Sequence, residues 1–338
     1  MLWSDGMTIF SGNPILRHYW YALATSSELN AGPIARTLLG EPIVLWRDPE
    51  GAALAAPDRC PHREAPLSMG LVERGVLTCA YHGWRFGTGG RCVAIPSAGP
   101  DVPTPRPADL PCLAITERYG LAWVALDDPV SDIPKVVQDE DESFRRINSP
   151  VDKWTTSVTR MTDNFLDIAH FPWVHVGTFG KAQDPKVAHI DLEMLEGEFF
   201  GYRYTVTAAN PPSATITSGQ VGAVVGRDMT TGFQLPFTVQ STISYSTGLN
   251  HIILLLSTPI DDTNSYFTFV VWRNDDFSIP SEDVIAFDRA IGAEDKRMLE
   301  RVPGVLPLAR TGVISTQADK CSLEWRRQLI ALLEQDAK

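Results

Sequence analysis

Residues 58–70 read DRCPHREAPLSMG and residues 79–96 read CAYHGWRFGTGGRCVAIP. In the first stretch, Cys60-Pro61-His62 sets a thiol and an imidazole two positions apart. After sixteen intervening residues, Cys79-Ala80-Tyr81-His82 sets the same pair three apart. Proline and glycine beside the pairs place each in a turn between strands. Two loops therefore each offer one sulfur and one nitrogen ligand. Zinc takes two Cys and two His, but zinc modules pair Cys with Cys and His with His, and Cys-x-His is tight around one tetrahedral ion. A [2Fe-2S] cluster suits the set better, because each loop can give its Cys to one iron and its His to the other. Neutral imidazoles in place of two thiolates lift the potential to roughly −150 to +300 mV, so the site accepts electrons from a low-potential ferredoxin-like donor. On spacing alone, structural zinc and ordinary core cysteines with hydrogen-bonded histidines stay open.

Around these loops, from about Tyr19 to Leu126, short strands alternate with turn residues, as in TLLGEPIVLWRD, GAALAAPD and GLAWVALDD. This reads as a small all-β domain, 17–135. The Pro- and Asp-rich stretch DDPVSDIPKVVQDEDESF reads as a linker near the boundary, and its DEDES run as a solvated loop. The second domain, 136–338, has a helical segment at Thr159–His170, strands such as FFGYRYTVTAA, FTVQSTISYST, HIILLLSTPI and SYFTFVVWR, then helices at Ser281–Arg301 and Ser322–Gln335. That order predicts an α+β domain whose curved antiparallel sheet grips a cavity.

The helical segment carries a second set of donors in TRMTDNFLDIAHFPWVHVG. Asp167 and His170 are three apart, so on one helix they share a face and the carboxylate reaches the imidazole. His175 does not fit a regular helix, because five residues turn through about 500° and splay the two rings by about 140°. Pro172 resolves this by ending or kinking the helix between them, so that both rings face one ion. Two imidazoles lack one carboxylate of the 2-His-1-carboxylate set that suits Fe(II). The helix SEDVIAFDRAIGAEDKRMLERV supplies candidates: Val284, Ile291, Met298 and Leu299 define its buried stripe, with Asp295 in the middle, Asp288 beside it and Glu294 toward the edge. A buried salt bridge is the other use of Asp295 that the pattern leaves open.

Composition bounds the rest. The 338 residues suit two domains, and 44% apolar with 21% charged residues predict a packed protein. A net charge of −12 argues against nucleic acid as partner. The opening MLWSDGMTIFSGNP has no basic or apolar leader pattern, and no stretch reaches the roughly 18 apolar residues of a membrane span, so a cytoplasmic location is expected. Five cysteines are too few and too irregular for a disulfide framework, and Cys92, Cys112 and Cys321 read as core or surface thiols. His18, His189 and His251 lack ligand spacing, with His251 a minor pocket candidate, and Trp20, Trp84 and Trp123 read as core aromatics.

The two cysteine loops resemble the cluster loops of Rieske non-haem iron oxygenases, NFLDIAHFPWVH resembles their mononuclear-iron motif, and GAEDKRML resembles the helix bearing their third ligand. The resemblance covers nearly the whole chain. It implies an N-terminal Rieske [2Fe-2S] domain and a C-terminal helix-grip (START/Bet v 1-like) catalytic domain. Cys60 and Cys79 would then hold one cluster iron and His62 and His82 the other. His170, His175 and Asp295 would hold a mononuclear Fe(II), with Asp167 as bridging carboxylate and Asn164 as a polar neighbour of the iron. The spacing and the ending ADKCSLEWRRQL are most similar to the monooxygenase branch of caffeine demethylase-like N- and O-demethylases and saxitoxin-pathway-like hydroxylases. The implied reaction uses O2 and NAD(P)H electrons to hydroxylate or demethylate a small aromatic or heterocyclic substrate. The chain has no Gly-rich dinucleotide fingerprint, so the electrons come through a separate flavin or ferredoxin-type reductase. The resemblance also implies a homotrimer, or a hetero-hexamer, in which the cluster of one subunit abuts the iron of the next. A ring or methylene hydroxylase or dioxygenase is the alternative within the family. A Rieske electron carrier, needing only about the first 130 residues, and a zinc-stabilised ligand-binding protein are the alternatives outside it. The substrate itself is not legible, since its pocket depends on side chains from several strands between Gly201 and Trp272.

Overall fold

A computed structural model of the chain describes residues 13–180, 185–309 and 313–335. The opening 1–12, on which part of the location expectation rests, lies outside the described residues. The chain divides into two compact units, Met1–Ile133 and Pro134–Lys338.

The first unit is all β apart from short 3-10 turns. Its strands are β1 (Tyr21–Thr25), β2 (Ile34–Leu38), β3 (Glu41–Arg47), β4 (Ala53–Pro57), β5 (Leu71–Glu73), β6 (Val76–Thr78), β7 (Arg85–Phe86), β8 (Cys92–Ala94), β9 (Ala114–Arg118) and β10 (Leu121–Ala125). They form three antiparallel sheets, ordered β1-β10-β9, β2-β3-β4 and β5-β6-β7-β8. The apolar run Ile43-Val44-Leu45-Trp46 of β3 is buried and gives this unit part of its core. Cys60 and Cys79 belong to that core, packed with Val44, Trp46, Leu67, Leu77 and Phe86. The loop between β4 and β5 and the loop between β6 and β7 are thus anchored inward by their cysteines.

In the second unit an antiparallel sheet of eight strands carries the helices. Its strands are β11 (Arg145–Asn148), β12 (Asp152–Trp154), β13 (Glu193–Met194), β14 (Phe200–Ala209), β15 (Val224–Gln234), β16 (Thr238–Ser244), β17 (Asn250–Pro259) and β18 (Ser265–Arg273), in the order β11-β18-β17-β16-β15-β14-β13, with β12 also on β18. The helices are α1 (Val158–Phe165), α2 (Phe171–Val174), α3 (Thr215–Ser218), α4 (Ser281–Leu299) and α5 (Lys320–Leu333). In α4 acidic Glu282 and Asp283 in the first turn and basic Lys296 and Arg297 in the last complement the helix dipole. Val284, Ile285 and Leu299 of α4 pack on Phe267, Phe269 and Val271 of β18, so the α+β expectation is met.

Two details differ from the sequence reading. The helix expected over Thr159–His170 stops at Phe165, and Pro172 opens a separate one-turn helix instead of breaking a long one. A proline is tolerated in a first turn because its missing N–H has no partner there in any case. Met298, expected in the buried stripe, is 49% exposed, and the buried face of α4 runs instead through Val284, Ile285, Phe287, Asp288, Asp295 and Leu299.

Candidate metal centres

The two cysteine loops share a backbone design that their different sequences conceal. Cys60 N–H donates to the Ala65 carbonyl (2.9 Å) and Glu64 N–H to the Cys60 carbonyl (2.9 Å). In the second loop Cys79 N–H donates to the Trp84 carbonyl (2.8 Å) and Gly83 N–H to the Cys79 carbonyl (3.0 Å). The fifth residue of each loop needs a positive φ: Gly83 has +70° at no steric cost, and Glu64 holds +57° against its Cβ.

Each loop delivers its thiol inward and its ring beside the other's. Cys60 and Cys79 are buried, and each thiol feels the charge of the other. Burial pushes the Cys60 thiol up to about 11, against the pull of the His62 and Arg63 backbone N–H groups that face its sulfur. The rings of His62 and His82 are 4.5 Å apart between centroids. Desolvation first, then His82 beside it, lowers the pKa of His62 and keeps its ring neutral. His62 Nδ1 is buried with no hydrogen-bond partner, as expected of a nitrogen whose partner is a metal. Trp84, expected as a plain core residue, instead stacks on His62 at 4.8 Å and 7°.

In the second unit α1 is capped by Leu166, whose carbonyl accepts from Tyr202 Oη (2.9 Å). The chain then turns through Asp167, whose Oδ1 accepts from Ala169 N–H (2.7 Å). The turn, not a shared helical face, brings Asp167 to His170: Oδ2 and Nδ1 are 3.4 Å apart, and Nδ1 makes no hydrogen bond. His170 and His175 cap the two ends of α2, and both rings converge although the turn between them is helical and not broken at Pro172 as expected. Their Nε2 atoms are 3.1 Å apart, and Asp295 Oδ1 from α4 lies 3.4 Å from each. A metal about 2.1 Å from each donor, with angles near 90–110°, needs this separation. Asn164 at the end of α1 donates from Nδ2 to Asp295 Oδ1 (3.1 Å), so it meets the carboxylate.

Among the described residues, His170, His175 and Asp295 are the one group of three or more Cys, His, Asp or Glu side chains whose donor atoms all lie within 4.8 Å of one another.

Glu294, expected only toward the helix edge, is the residue the sequence reading missed. Its Oε2 lies 3.1 Å from His175 Nδ1 and accepts from Thr178 Oγ1 (2.7 Å), while Oε1 accepts from Gly177 N–H (2.9 Å). Asp288 lies elsewhere on α4, its Oδ2 3.3 Å from His251 Nε2. His251 is fully buried between Asp288 and Arg273. His18 Nδ1 meets the Asp128 carbonyl (2.7 Å), and His189 is exposed beside Asp191. Cys92 and Cys321 are buried and Cys112 is exposed. In the DEDES run Asp139 does more than face water, accepting from Trp272 Nε1 (2.8 Å) and Arg146 (3.0 Å).

The group opens on a cavity of about 100 Å³ between sheet and α4. Phe165, Phe171, Phe179, Met229, Ile243, Ile253, Leu255, Phe267, Phe269 and Ile291 make its wall mostly apolar, and Asn164, Arg227, Ser241 and Asp288 are its polar points beside the three donors.

Comparison with known proteins finds a family for each unit. The Rieske [2Fe-2S] domain family matches residues 19–114, and the vanillate O-demethylase oxygenase C-terminal domain family matches residues 154–335. The methylxanthine N1-demethylase NdmA of Pseudomonas putida is 31% identical over 332 residues, covering 94% of this chain and 90% of the relative. The methylxanthine N3-demethylase NdmB of the same organism is 28% identical over 329 residues, covering 92% and 88%. The solved structure of Pseudomonas putida CBB5 NdmA with caffeine superposes with a TM-score of 0.79 at 27% identity, covering 97% of this chain and 94% of that one. An iron-sulfur unit followed by a non-haem iron unit defines the oxygenase component of a Rieske oxygenase, an oxidoreductase that works on a small molecule with electrons from a separate reductase. The chain belongs to this family, in the branch defined by the vanillate O-demethylase oxygenase C-terminal domain. Its cofactors are accordingly a Rieske [2Fe-2S] cluster, a mononuclear iron and dioxygen. Among the described residues no helix is long and apolar enough to cross a membrane.

Proposed function

We propose that this chain is a cytoplasmic monooxygenase that removes an N- or O-methyl group from a small aromatic or heterocyclic molecule. The convergence of His170, His175 and Asp295 on an apolar cavity carries this reading. Full-length relatives named as N-demethylases support it. In this reading residues 17–135 form the Rieske domain, with Cys60 and Cys79 on one iron and His62 and His82 on the other, and residues 136–338 form the catalytic domain, with His170, His175 and Asp295 as iron ligands.

When bound, the two centres supply single electrons and oxygen activation at a C–H bond. The chain's own residues prepare the site. Glu294 fixes the ring of His175 with Nε2 turned toward Asp295, where it would hold the iron, and Asn164 orients the Asp295 carboxylate. The apolar wall excludes water and holds the methyl group toward the donors. Hydroxylation of an N- or O-methyl carbon leaves a carbinolamine or hemiacetal that expels formaldehyde, whereas a ring or methylene target would keep its new alcohol.

The assembly in this reading is a head-to-tail homotrimer. His82 is exposed and Asp167 is partly exposed, which leaves Asp167 able to accept a hydrogen bond from His82 of the partner subunit. Asp167 then links cluster and iron. Incubation with NAD(P)H, a surrogate reductase and a panel of methylated aromatics and N-heterocycles should release formaldehyde in step with dioxygen uptake. Oxygen uptake with a retained alcohol would favour the hydroxylase alternative, and no substrate-dependent uptake by iron-replete protein would overturn the reading.

A further inference from the structure

Arg227 is a polar group of the cavity with no role at the metal. In β15 the inward positions run Val225, Arg227, Met229 and Thr231, while Val224, Gly226 and Asp228 are exposed, so Arg227 stands where the strand otherwise buries mostly apolar residues. Arg227 is only 3% exposed and lines the cavity. Among the described residues no carboxylate lies within 4.0 Å of its guanidinium, and its Nε makes no hydrogen bond. Its close neighbours are rings, Phe179 at 5.0 Å and Tyr245 at 5.8 Å, and the Tyr245 hydroxyl is itself buried without a partner. The other buried arginines of this unit are treated differently: Arg273 pairs with Asp275 and donates to the Thr217 carbonyl, and Arg326 pairs with Asp163.

A buried cation without a counter-charge is costly, and ring faces compensate it only in part. The guanidinium fork matches the geometry of a carboxylate or sulfonate, to which it gives two parallel hydrogen bonds. Asp288 is the other charge in the cavity outside the metal group, but it does not come within 4.0 Å of Arg227 and faces His251 instead. We propose that Arg227 is the substrate-binding residue for an anionic group, so that the substrate is a small methylated arene bearing a carboxylate or a sulfonate. The chemistry at the methyl group rests on the oxygenase reading above. The anion preference rests on Arg227 alone.

The test is equilibrium dialysis of iron-loaded, full-length protein with four probes: 4-methoxybenzoate, 4-methylbenzenesulfonate, the neutral isostere 4-methoxybenzamide, and 1,3-dimethylxanthine as a neutral heterocycle. At least one anion should bind at least tenfold more tightly than both neutral probes, a margin of about 1.4 kcal/mol. The benzoate and sulfonate arms tell which anion the site prefers. Arg227→Gln should abolish the margin without weakening the neutral probes, Arg227→Lys should retain part of it, and Asp288→Asn should tighten the anion. Should Arg227→Gln fail to fold, the probe comparison on the unaltered protein and the lysine variant still decide. Neutral probes binding as tightly as the anions, or unchanged anion binding in a folded Arg227→Gln protein, would overturn the assignment. Formaldehyde release from a neutral substrate with no anion preference would sink the Arg227 assignment alone. A clear anion preference in protein that never consumes oxygen would sink the oxygenase reading alone.

Discussion

Glu294 and Asp295, adjacent on α4, grip one imidazole from opposite ends: Glu294 Oε2 lies 3.1 Å from His175 Nδ1, and Asp295 Oδ1 lies 3.4 Å from His175 Nε2. Burial above all lowers the pKa of His175, with His170 adding to it, so the ring stays neutral and free to ligate. Glu294→Gln should weaken mononuclear iron binding about 10–100-fold while leaving the cluster spectrum unchanged. Chelator competition followed by iron analysis reads this directly, and unaltered retention of iron would show that Glu294 does not orient the ligand.

His170 behaves oppositely in the metal-free protein. Burial disfavours its charged form, but Asp167 and Asp295 outweigh burial and raise its pKa from 6.5 to about 9. A raised pKa stabilises the fold fully below about pH 6.5, and this contribution is lost as pH climbs through about 9. Metal-free protein should therefore melt at a lower temperature at pH 9.5 than at pH 6, and His170→Gln should flatten the difference. Ferrous ion must displace that proton, so binding below pH 9 should release about one proton per ion, measurable by calorimetry in buffers of different ionisation enthalpy.

Gly180 lies where the chain leaves the iron turn, and its N–H donates to the His175 carbonyl at 2.7 Å. A Cβ built there would sit 2.6 Å from the Phe171 carbonyl oxygen and 2.7 Å from the His175 carbonyl carbon, both backbone atoms that cannot swing aside. Gly180→Ala should cost about 1–3 kcal/mol and shift His175 off its ligand position. Thermal melting of the purified variant, with iron counted before and after, checks both parts.

Asp167 makes one firm hydrogen bond, to Ala169 N–H, and leaves Oδ2 for other partners. Asp167→Asn should keep the iron, the cluster and the assembly, yet reoxidise its reduced cluster at least about tenfold more slowly in a single turnover with substrate and oxygen. Near-normal reoxidation, or full activity in a dilute monomer, would contradict the bridging role.

Much of this was legible before any coordinates. Paired Cys and His on turn residues drew attention to Cys60, His62, Cys79 and His82, and the helical period put Asp295 on the buried face of α4, because ligand spacing and helix period are local properties. What escaped depends on tertiary contact. Glu294 has an unremarkable position in the helix and acquires its role only because Gly177 and Thr178 meet it from a separate loop. Trp84 looks like any core aromatic until His62 comes to lie flat against it. The early end of α1 was hidden for another reason: 159–170 has helical periodicity throughout, and the Asp167 side chain, by taking the Ala169 N–H, competes with the helix for that donor. Arg227 was invisible because β15 mixes Gly226, Asp228 and Gly232 into its alternation, which blurs the period-two signal that separates inward from outward residues.

One chain of this family holds two distinct iron centres. Iron and acid-labile sulfide analysis with electron paramagnetic resonance, on the intact protein and on Asp295→Ala, tests this most directly. The intact protein should hold one iron beyond the two of the cluster and, when reduced, give the rhombic signal of two-histidine ligation. Asp295→Ala should lose that one iron and keep the rhombic signal unchanged. Zinc without sulfide, or an Asp295→Ala protein with its full iron and activity, would contradict it.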